Sequence, residues 1–316
     1  NQTTALFMSN STQSHLNVAI VGAGPAGLSA ALWCEELGLS YVVLESASEA
    51  GGQLLQTYNK INNHLGTNAA NGREMRDIFL QNLEKTKPNF RFLTNVESID
   101  CTERRITLSN SEVFTTDSVV IATGIRRRKL NLPNEEAFLG NGILSSGKRD
   151  AHLTAGKNVC VIGGGDAALE NVAILSEVAE SVTLVHRSSQ FRARSEFIAH
   201  ANDRSNVRIM TDASVTELHG DSKLDAVTIR SQKDGACTTI PVDFLLVRIG
   251  VEPSTSLVRD QLALDDRGYI QVNSSCETSV SRVFAAGDVA NPASPTISTA
   301  VGMGATAIKA LFESIR

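Results

Sequence analysis

Two short glycine-rich segments have the residue types and spacing that bind a pyrophosphate. The first is GAGPAG at Gly22–Gly27, and the second is GGGDAA at Gly163–Ala168. In such a turn the first glycine permits a tight bend, the second lets the backbone approach a pyrophosphate, and the third lets the helix pack on the strand. Backbone N–H groups and the positive end of the helix dipole then face the phosphates. The candidate contacts are Gly22, Gly24, Pro25, Ala26 and Gly27 in the first turn, and Gly163, Gly165, Asp166 and Ala167 in the second.

The residues at the end of the following strand differ between the two segments. Glu45 follows the apolar run Tyr41–Leu44, where a carboxylate accepts hydrogen bonds from a ribose diol. Guanidinium groups, by contrast, pair with a ribose 2′-phosphate that a carboxylate would repel. The second segment therefore favours NADPH over NADH, and the alternative is a solvated basic loop. Its basic residues are His186, Arg187, Arg192 and Arg194.

Both turns belong to strand–turn–helix–strand units of equal length. Residues 17–21 form a β-rich run before the first turn, and residues 158–162 precede the second. The first glycine and the end of the second strand are 23 residues apart in both units. Two such units, in a chain long enough for two domains, predict an α/β fold with two Rossmann-like, three-layer ββα-type dinucleotide-binding domains.

The second domain is predicted to be inserted into the first. No low-complexity linker separates the two halves, and strand-like runs end near Gly124 and begin near Phe244, where the chain is expected to cross. The predicted boundaries are a flexible tail at residues 1–15, a first domain at 16–124 and 245–316, and a second domain at 125–244.

Two further strand ends carry glycine-containing turns. Ala122-Thr123-Gly124 ends a strand at the first crossing, and Gly287-Asp288 ends the final strand. The Asp288 carboxylate would bind a hydroxyl-rich chain such as a ribityl. A helix is expected to begin near Thr296-Ile297, and its positive N-terminus suits the electron-rich pyrimidine end of a reduced flavin.

Composition excludes several classes of partner. The net charge of −5 and the small set of aromatic residues (11 Phe, 3 Tyr and one Trp) argue against a nucleic-acid-binding surface. No apolar run reaches the roughly 18 residues of a membrane span. The first fifteen residues lack a signal-peptide pattern, so a cytoplasmic protein is expected. The six histidines show no metal-ligand spacing, and none of the five cysteines forms a Cys-x-x-Cys pair.

These motifs together resemble the low-molecular-weight thioredoxin reductase family, including its ferredoxin/flavodoxin–NADP reductase relatives. The resemblance runs from about Asn17 to the C-terminus. It implies that the first domain binds FAD, that the inserted domain binds NADPH (with NADH as an alternative), and that the protein is a homodimer. The supporting motifs are GAGPAG, Glu45, GGQL at 51–54, Ala122-Thr123-Gly124, GGGDAALE, HRSSQFRA at 186–193 and AAGDVA at 285–290.

The resemblance also implies individual cofactor contacts. Ser188 stands where the family has a further arginine of the phosphate-binding group, which weakens the expected selectivity for NADPH. The implied FAD contacts are Gly22, Gly24, Ala26, Glu45, Gly52, Gln53, Asn63, Val96, Thr123 and Asp288, and the implied NADPH contacts are Gly165, His186, Arg187 and Arg192.

The largest departure from the family is at its redox-active dithiol. Thioredoxin reductases carry Cys-x-x-Cys-Asp before the second glycine turn, and the matching segment here is Ser146-Gly147-Lys148-Arg149-Asp150. Without a thiolate this segment has no nucleophile for disulfide exchange. Asp150 is either a proton donor near the flavin or a solvated loop residue, and no catalytic side chain is identified. The basic run at 126–129 is either a docking site for an acidic ferredoxin or flavodoxin, or a solvated loop.

The sequence leaves three functions open. The leading hypothesis is an FAD enzyme that passes electrons between NAD(P)H and an external acceptor such as ferredoxin, flavodoxin or a quinone. The second is an atypical disulfide oxidoreductase that uses other cysteines. The third is a flavoprotein whose second site holds FAD or a nucleotide that does not react.

Overall fold

The computed structural model describes residues 16–83, 88–291 and 293–316, so the predicted tail at 1–15 lies outside the described residues. Contacts divide the chain into two units, one of Asn1–Ile125 with Pro253–Arg316 and one of Arg126–Glu252.

Strands alternate with helices in two stretches of the chain, residues 16–91 and 147–210. The strands are β1 (Leu16–Val21), β2 (Tyr41–Leu44), β3 (Phe90–Arg91), β4 (Val96–Asp100), β5 (Arg105–Leu108), β6 (Val113–Ile121), β7 (Ile125–Arg127), β8 (Asn158–Ile162), β9 (Ser181–Val185), β10 (Val207–Met210), β11 (Ala213–His219), β12 (Ala226–Ser231), β13 (Cys237–Pro241), β14 (Phe244–Val247), β15 (Val251–Pro253) and β16 (Val283–Ala285). The helices are α1 (Pro25–Glu36), α2 (Gly72–Leu83), α3 (Gly147–Asp150), α4 (Asp166–Ser176), α5 (Ser195–Asn202) and α6 (Ile297–Ser314), with 3-10 turns at Gly52–Gln56, Glu135–Phe138 and Ala151–Thr154.

The first unit is built on a sheet in which β3, β2, β1, β6 and β16 are parallel, while β5 and β4 continue from β6 antiparallel. Val18 and Ile20 of β1 pack with α1 and α6 on one face. Ala19 and Val21 pack with residues of β4 and β5 on the other. Because successive strand side chains point to opposite faces, the apolar stretch 18–21 of β1 needs both layers. This is the expected three-layer arrangement.

The second unit repeats this plan. Its parallel sheet has the order β10, β9, β8, β14, and β11, β12 and β13 form a separate antiparallel sheet. Val159 and Val161 of β8 pack against α4. Cys160 and Ile162 pack against side chains from β11 and β12. The predicted fold class, with two Rossmann-like domains, is confirmed.

The second crossing differs from the sequence-based expectation. The division lies at Glu252/Pro253 and not at 244/245. The reason is that β14 pairs in parallel with β8 and completes the second parallel sheet. The strands through which the chain passes between the units, β7 and β15, pair with each other. Among the described residues, no helix combines the length and apolar character that a bilayer span requires.

Gly304 of α6 is expected to be intolerant of a side chain. A Cβ at this position would clash with the Ala26 carbonyl oxygen of α1 and lie 3.0 Å from the Ser29 Cβ. A Cβ on Gly302, two residues earlier on the same helix, would meet no atom within 4 Å. We therefore expect Gly304→Ala to lower the unfolding free energy by about 1–3 kcal/mol through overpacking, while Gly302→Ala raises it slightly through helix propensity. Thermal unfolding followed by circular dichroism separates them, and equal midpoints for the two variants would contradict this account.

Candidate functional site: two dinucleotide sites

The first glycine turn lies against the end of a neighbouring strand. Gly22 has a φ of +107°, and a Cβ there would clash with the Ala122 carbonyl oxygen. Only glycine adopts this conformation without cost. The turn after β1 and the Ala122-Thr123-Gly124 turn after β6 are therefore in direct contact. The predicted FAD contacts in these two turns lie close together.

Glu45 is joined directly to this turn. Its Oε2 atom accepts a hydrogen bond from the Ala23 N–H at 2.8 Å, and Oε1 accepts one from the Ala47 N–H at 2.9 Å. Each carboxylate oxygen has two lone pairs, so capacity remains for a ribose hydroxyl. The structure thus places the Glu45 carboxylate beside the first glycine turn.

Two other predicted contacts border the same turn. A Cβ on Gly52 would lie 3.0 Å from the Gly24 Cα, so the GGQL segment approaches the first turn closely. The Gln53 side chain donates from Nε2 to the Ile125 carbonyl oxygen at 2.9 Å. This bond ties the 3-10 turn to the chain that leaves β6.

Gly287 and Asp288 complete this crevice. A Cβ on Gly287 would lie 2.9 Å from the Ala26 Cβ in the first turn of α1. Asp288 is half-buried, and burial raises the pKa of its carboxyl. No hydrogen bond to this carboxyl is found within the described part of the chain. A half-buried acceptor without a protein donor fits a ligand that supplies hydroxyl groups.

The N-terminus of α6 and two outlying residues complete the predicted set. Thr296 caps α6 in a capping box with Thr299, so the helix begins at Ile297 as expected. Asn63 is exposed in the loop closed by the Ile61–Ala69 bridge. Val96 is the first residue of β4.

The second glycine turn has a comparable geometry in the second unit. Gly163 has a φ of +149°, and a Cβ there would lie 2.9 Å from the Ala168 Cβ. The alanine at the third position therefore packs against the first glycine. A Cβ on Gly164 would clash with the His186 ring, which is buried and stacks on Phe191 with centroids 5.1 Å apart.

The arginines after β9 fall into two groups. The Arg192 N–H donates to the Gly164 carbonyl oxygen at 2.8 Å, which folds the loop back over the turn. The side chains of Arg187 and Arg192 are exposed, and neither makes an ion pair within the described residues. Arg194 instead pairs with Asp166 and Glu196 and lies over the Phe197 ring. Arg187 and Arg192 are therefore the guanidinium groups available for a 2′-phosphate.

The segment Ser146–Asp150 forms a compact turn around the carboxylate of Asp150. Ser146 caps α3, and the Asp150 Oδ2 atom accepts from the N–H groups of Ser145 (3.0 Å) and Ser146 (2.9 Å) and from Arg149 Nη2 (3.0 Å). Burial would raise the pKa of Asp150, but the bonds from Arg149 and from the two N–H groups outweigh it and lower the pKa. Asp150 is thus neither solvated nor suited to donate a proton.

The cysteines are not arranged as a redox pair. All five are free thiols, and Cys34, Cys101, Cys160 and Cys276 are buried. Burial raises the pKa of Cys101 to about 11 and that of Cys160 to about 12, and it raises those of Cys34 and Cys276 as well. Only the thiolate is a nucleophile, so these buried thiols are inert. Within residues 16–83, 88–291 and 293–316, no group of three or more His, Cys, Asp or Glu side chains is arranged to hold a metal ion.

The comparisons with known proteins agree with this geometry. The family model for pyridine nucleotide-disulphide oxidoreductases matches residues 16–304. The chain belongs to the pyridine nucleotide-disulphide oxidoreductase family. It is 35% identical to a thioredoxin reductase of Streptomyces coelicolor, over 92% of this chain and 91% of that protein. It is 30% identical to a 34.2 kDa protein in the rubredoxin operon of Clostridium pasteurianum, over 93% and 96%.

A solved structure confirms the resemblance at the level of the fold. Lactococcus lactis thioredoxin reductase, in its FR conformation, matches with a TM-score of 0.78 and 29% identity over 94% of this chain and 98% of that chain. The protein is therefore a flavin-dependent oxidoreductase of the thioredoxin reductase type, a group that uses FAD and NADPH. The two crevices described above fit these cofactors in charge and in backbone approach.

Arg248, which follows β14, was not among the site residues predicted from the sequence. Its Nη2 atom donates to the Ser145 carbonyl oxygen at 3.2 Å, and Arg127 donates to the same oxygen. Burial, followed by repulsion from Arg127, lowers the pKa of Arg248 to about 10. The available signal was a single arginine between an apolar strand and a glycine. Of the basic run, Arg126 pairs with Glu252 and Lys129 with Glu136.

The two groups of arginines give a test of NADPH selectivity. Replacing both Arg187 and Arg192 with Gln should raise KM for NADPH by about a hundredfold or more, because two charge-assisted bonds are lost and each is worth about 1.5–3 kcal/mol. KM for NADH, which has no 2′-phosphate, should change little. Steady-state kinetics with both nucleotides measures this. Arg194→Gln is the control in the same loop, and an equal loss there would refute the division.

Asp150→Asn should destabilise the protein in a pH-dependent way. The folded pKa of Asp150 is lowered, so its stabilisation is present above the ordinary aspartate pKa of about 3.9 and is lost as pH falls through the folded pKa. At pH 7 we expect a loss of about 1.5–3 kcal/mol in unfolding free energy. Thermal unfolding between pH 3 and 7 should show the difference from wild type shrinking towards acid. Asp221→Asn, at an exposed position of the same unit, serves as the control.

Proposed function

We propose that this protein transfers electrons from NADPH through FAD to an external acceptor, without a dithiol of its own. The observation that carries the proposal is the segment Ser146–Asp150. It keeps the position and the aspartate of the family's redox-active segment but has serine and arginine in place of the two cysteines. Both dinucleotide crevices are present, so the route into the flavin is retained while the route through a thiol is lost.

The remaining cysteines support this proposal. Four are buried thiols with raised pKa values, and Cys237 is the exposed one. A single exposed thiol cannot form an intramolecular disulfide with a buried partner unless the fold opens. The geometry therefore disfavours the alternative of an atypical disulfide oxidoreductase.

The chain's residues have separable roles in this scheme. FAD, when bound, supplies the two-electron acceptor for hydride from NADPH and can release electrons singly. Glu45 and the first glycine turn would hold the adenosine and pyrophosphate, and Asp288 would accept from the ribityl hydroxyls. Arg187 and Arg192 would hold the 2′-phosphate of NADPH. Asn63, Val96 and the α6 N-terminus at Thr296 and Ile297 remain predicted FAD contacts.

The acceptor is proposed to be ferredoxin, flavodoxin, a quinone or a similar oxidant. The Clostridium pasteurianum relative, described as a protein in a rubredoxin operon, is consistent with a small one-electron carrier. We also propose that the protein is a homodimer, as the resemblance implies, and that it is cytoplasmic. Light scattering of the purified protein at micromolar concentration measures the first of these.

Anaerobic stopped-flow mixing with NADPH tests the function directly. We expect the flavin absorbance to bleach fully within seconds, without the long-wavelength band of a thiolate–flavin pair. Added menadione should then restore the oxidised spectrum. A flavin that stays oxidised for minutes would refute the proposal. About one flavin per chain is expected in the denatured extract, and about two would favour a second FAD in the second site.

Cys237→Ser separates this proposal from thiol chemistry. The variant should keep the wild-type rate of NADPH-dependent menadione reduction, because no step uses a thiol. Alkylation of free thiols before and after reduction by NADPH should give the same count. Loss of activity in the variant, or a new thiol pair on reduction, would instead support the atypical disulfide oxidoreductase.

A further inference from the structure

Basic residues from three segments that are far apart in the sequence meet around Ser145, next to the segment Ser146–Asp150. Arg127 comes from β7, Lys148 and Arg149 come from α3, and Arg248 follows β14. We call these four residues the cationic cluster. All of them lie in the second unit.

The backbone of Ser145 connects three of the four members of the cluster. The guanidinium groups of Arg127 and Arg248 both donate to the Ser145 carbonyl oxygen. The N–H of the same residue donates to Asp150, which also accepts from Arg149. Two guanidinium groups on one carbonyl repel each other, and this proximity contributes to the lowered pKa of Arg248. The fold thus holds like charges together at this place.

The charge of the cluster faces outward. Arg127, Lys148 and Arg149 are exposed, whereas the Asp150 carboxylate that accepts from Arg149 belongs to a side chain only 9% exposed. The four cations come from two strand ends and one helical turn. Three of them, Arg127, Arg149 and Arg248, donate hydrogen bonds to oxygen atoms of the protein. This is an extended positive surface on a chain whose net charge is −5.

We infer that the cationic cluster is the docking surface for an acidic one-electron carrier protein. This inference rests on the function proposed above. Complementary charge steers encounter and sets orientation, and its effect falls with ionic strength. A spread of fixed cations matches a protein surface better than it matches a small anion. The reaction served is NADPH + 2 oxidised carrier → NADP⁺ + H⁺ + 2 reduced carrier, in which the two hydride electrons leave one at a time.

Charge at the cluster can be tested without turnover. The probe is a plant-type [2Fe–2S] ferredoxin with gallium in place of iron, which keeps the acidic surface and carries no electrons. In 20 mM salt, Arg127→Gln with Arg149→Gln should weaken its Kd by about tenfold or more, because exposed complementary charges act at low ionic strength. Arg127→Lys with Arg149→Lys keeps the charge and should bind within about twofold of wild type. Arg230→Gln, an exposed arginine of β12 outside the cluster, should not change Kd.

Turnover gives the second readout. With iron ferredoxin, we compare kcat/KM for ferredoxin with kcat/KM for menadione. In the double Gln variant the ratio of these two values should fall by at least the factor by which binding weakens. At 500 mM salt, wild type and the double Gln variant should have the same ratio. Unchanged binding in the Gln variant, or equal loss in the Lys and Gln variants, would overturn the docking surface. If wild type reduces menadione but neither binds nor reduces ferredoxin, docking fails while the proposed function stands. If NADPH does not reduce the flavin, the function fails, and gallium-ferredoxin binding still decides the docking surface.

Discussion

The close backbone contact between the turns after β1 and β6 is the constraint on which the first unit depends. Gly22 has no room for a side chain because the Ala122 carbonyl lies against it. Glu45, the GGQL segment and Gly287 lie around the same turn, at the carboxyl ends of parallel strands. Ligands of open α/β sheets bind at such a place. The phosphate-binding geometry is therefore a consequence of strand packing.

The second unit applies the same constraint with a different charge. Gly163 bends the chain as Gly22 does, but a buried histidine under Gly164 and exposed arginines replace the acid. Backbone shape makes both crevices suitable for a dinucleotide, and side-chain charge at the end of the second strand distinguishes them. The pairing of Arg194 with Asp166 shows that not every nearby arginine is available for a ligand.

In the proposed function, the segment Ser146–Asp150 has the position of the family's redox-active segment but not its two cysteines. The aspartate that follows the dithiol in relatives here accepts bonds from two N–H groups and from Arg149. It stabilises the turn and stays ionised. The arginine in place of the second cysteine supplies one of those bonds, so the replacement is accommodated by the local structure.

The sequence by itself determined the two glycine turns, the acid at Glu45, the fold class and the absence of a dithiol. Each of these depends on consecutive residues whose backbone demands are local. Tertiary structure decided the rest. The strand β14 belongs to the second unit because it pairs with β8. Arg127 and Arg248 meet at Ser145 because strand order brings residues more than a hundred positions apart together, which no local pattern encodes.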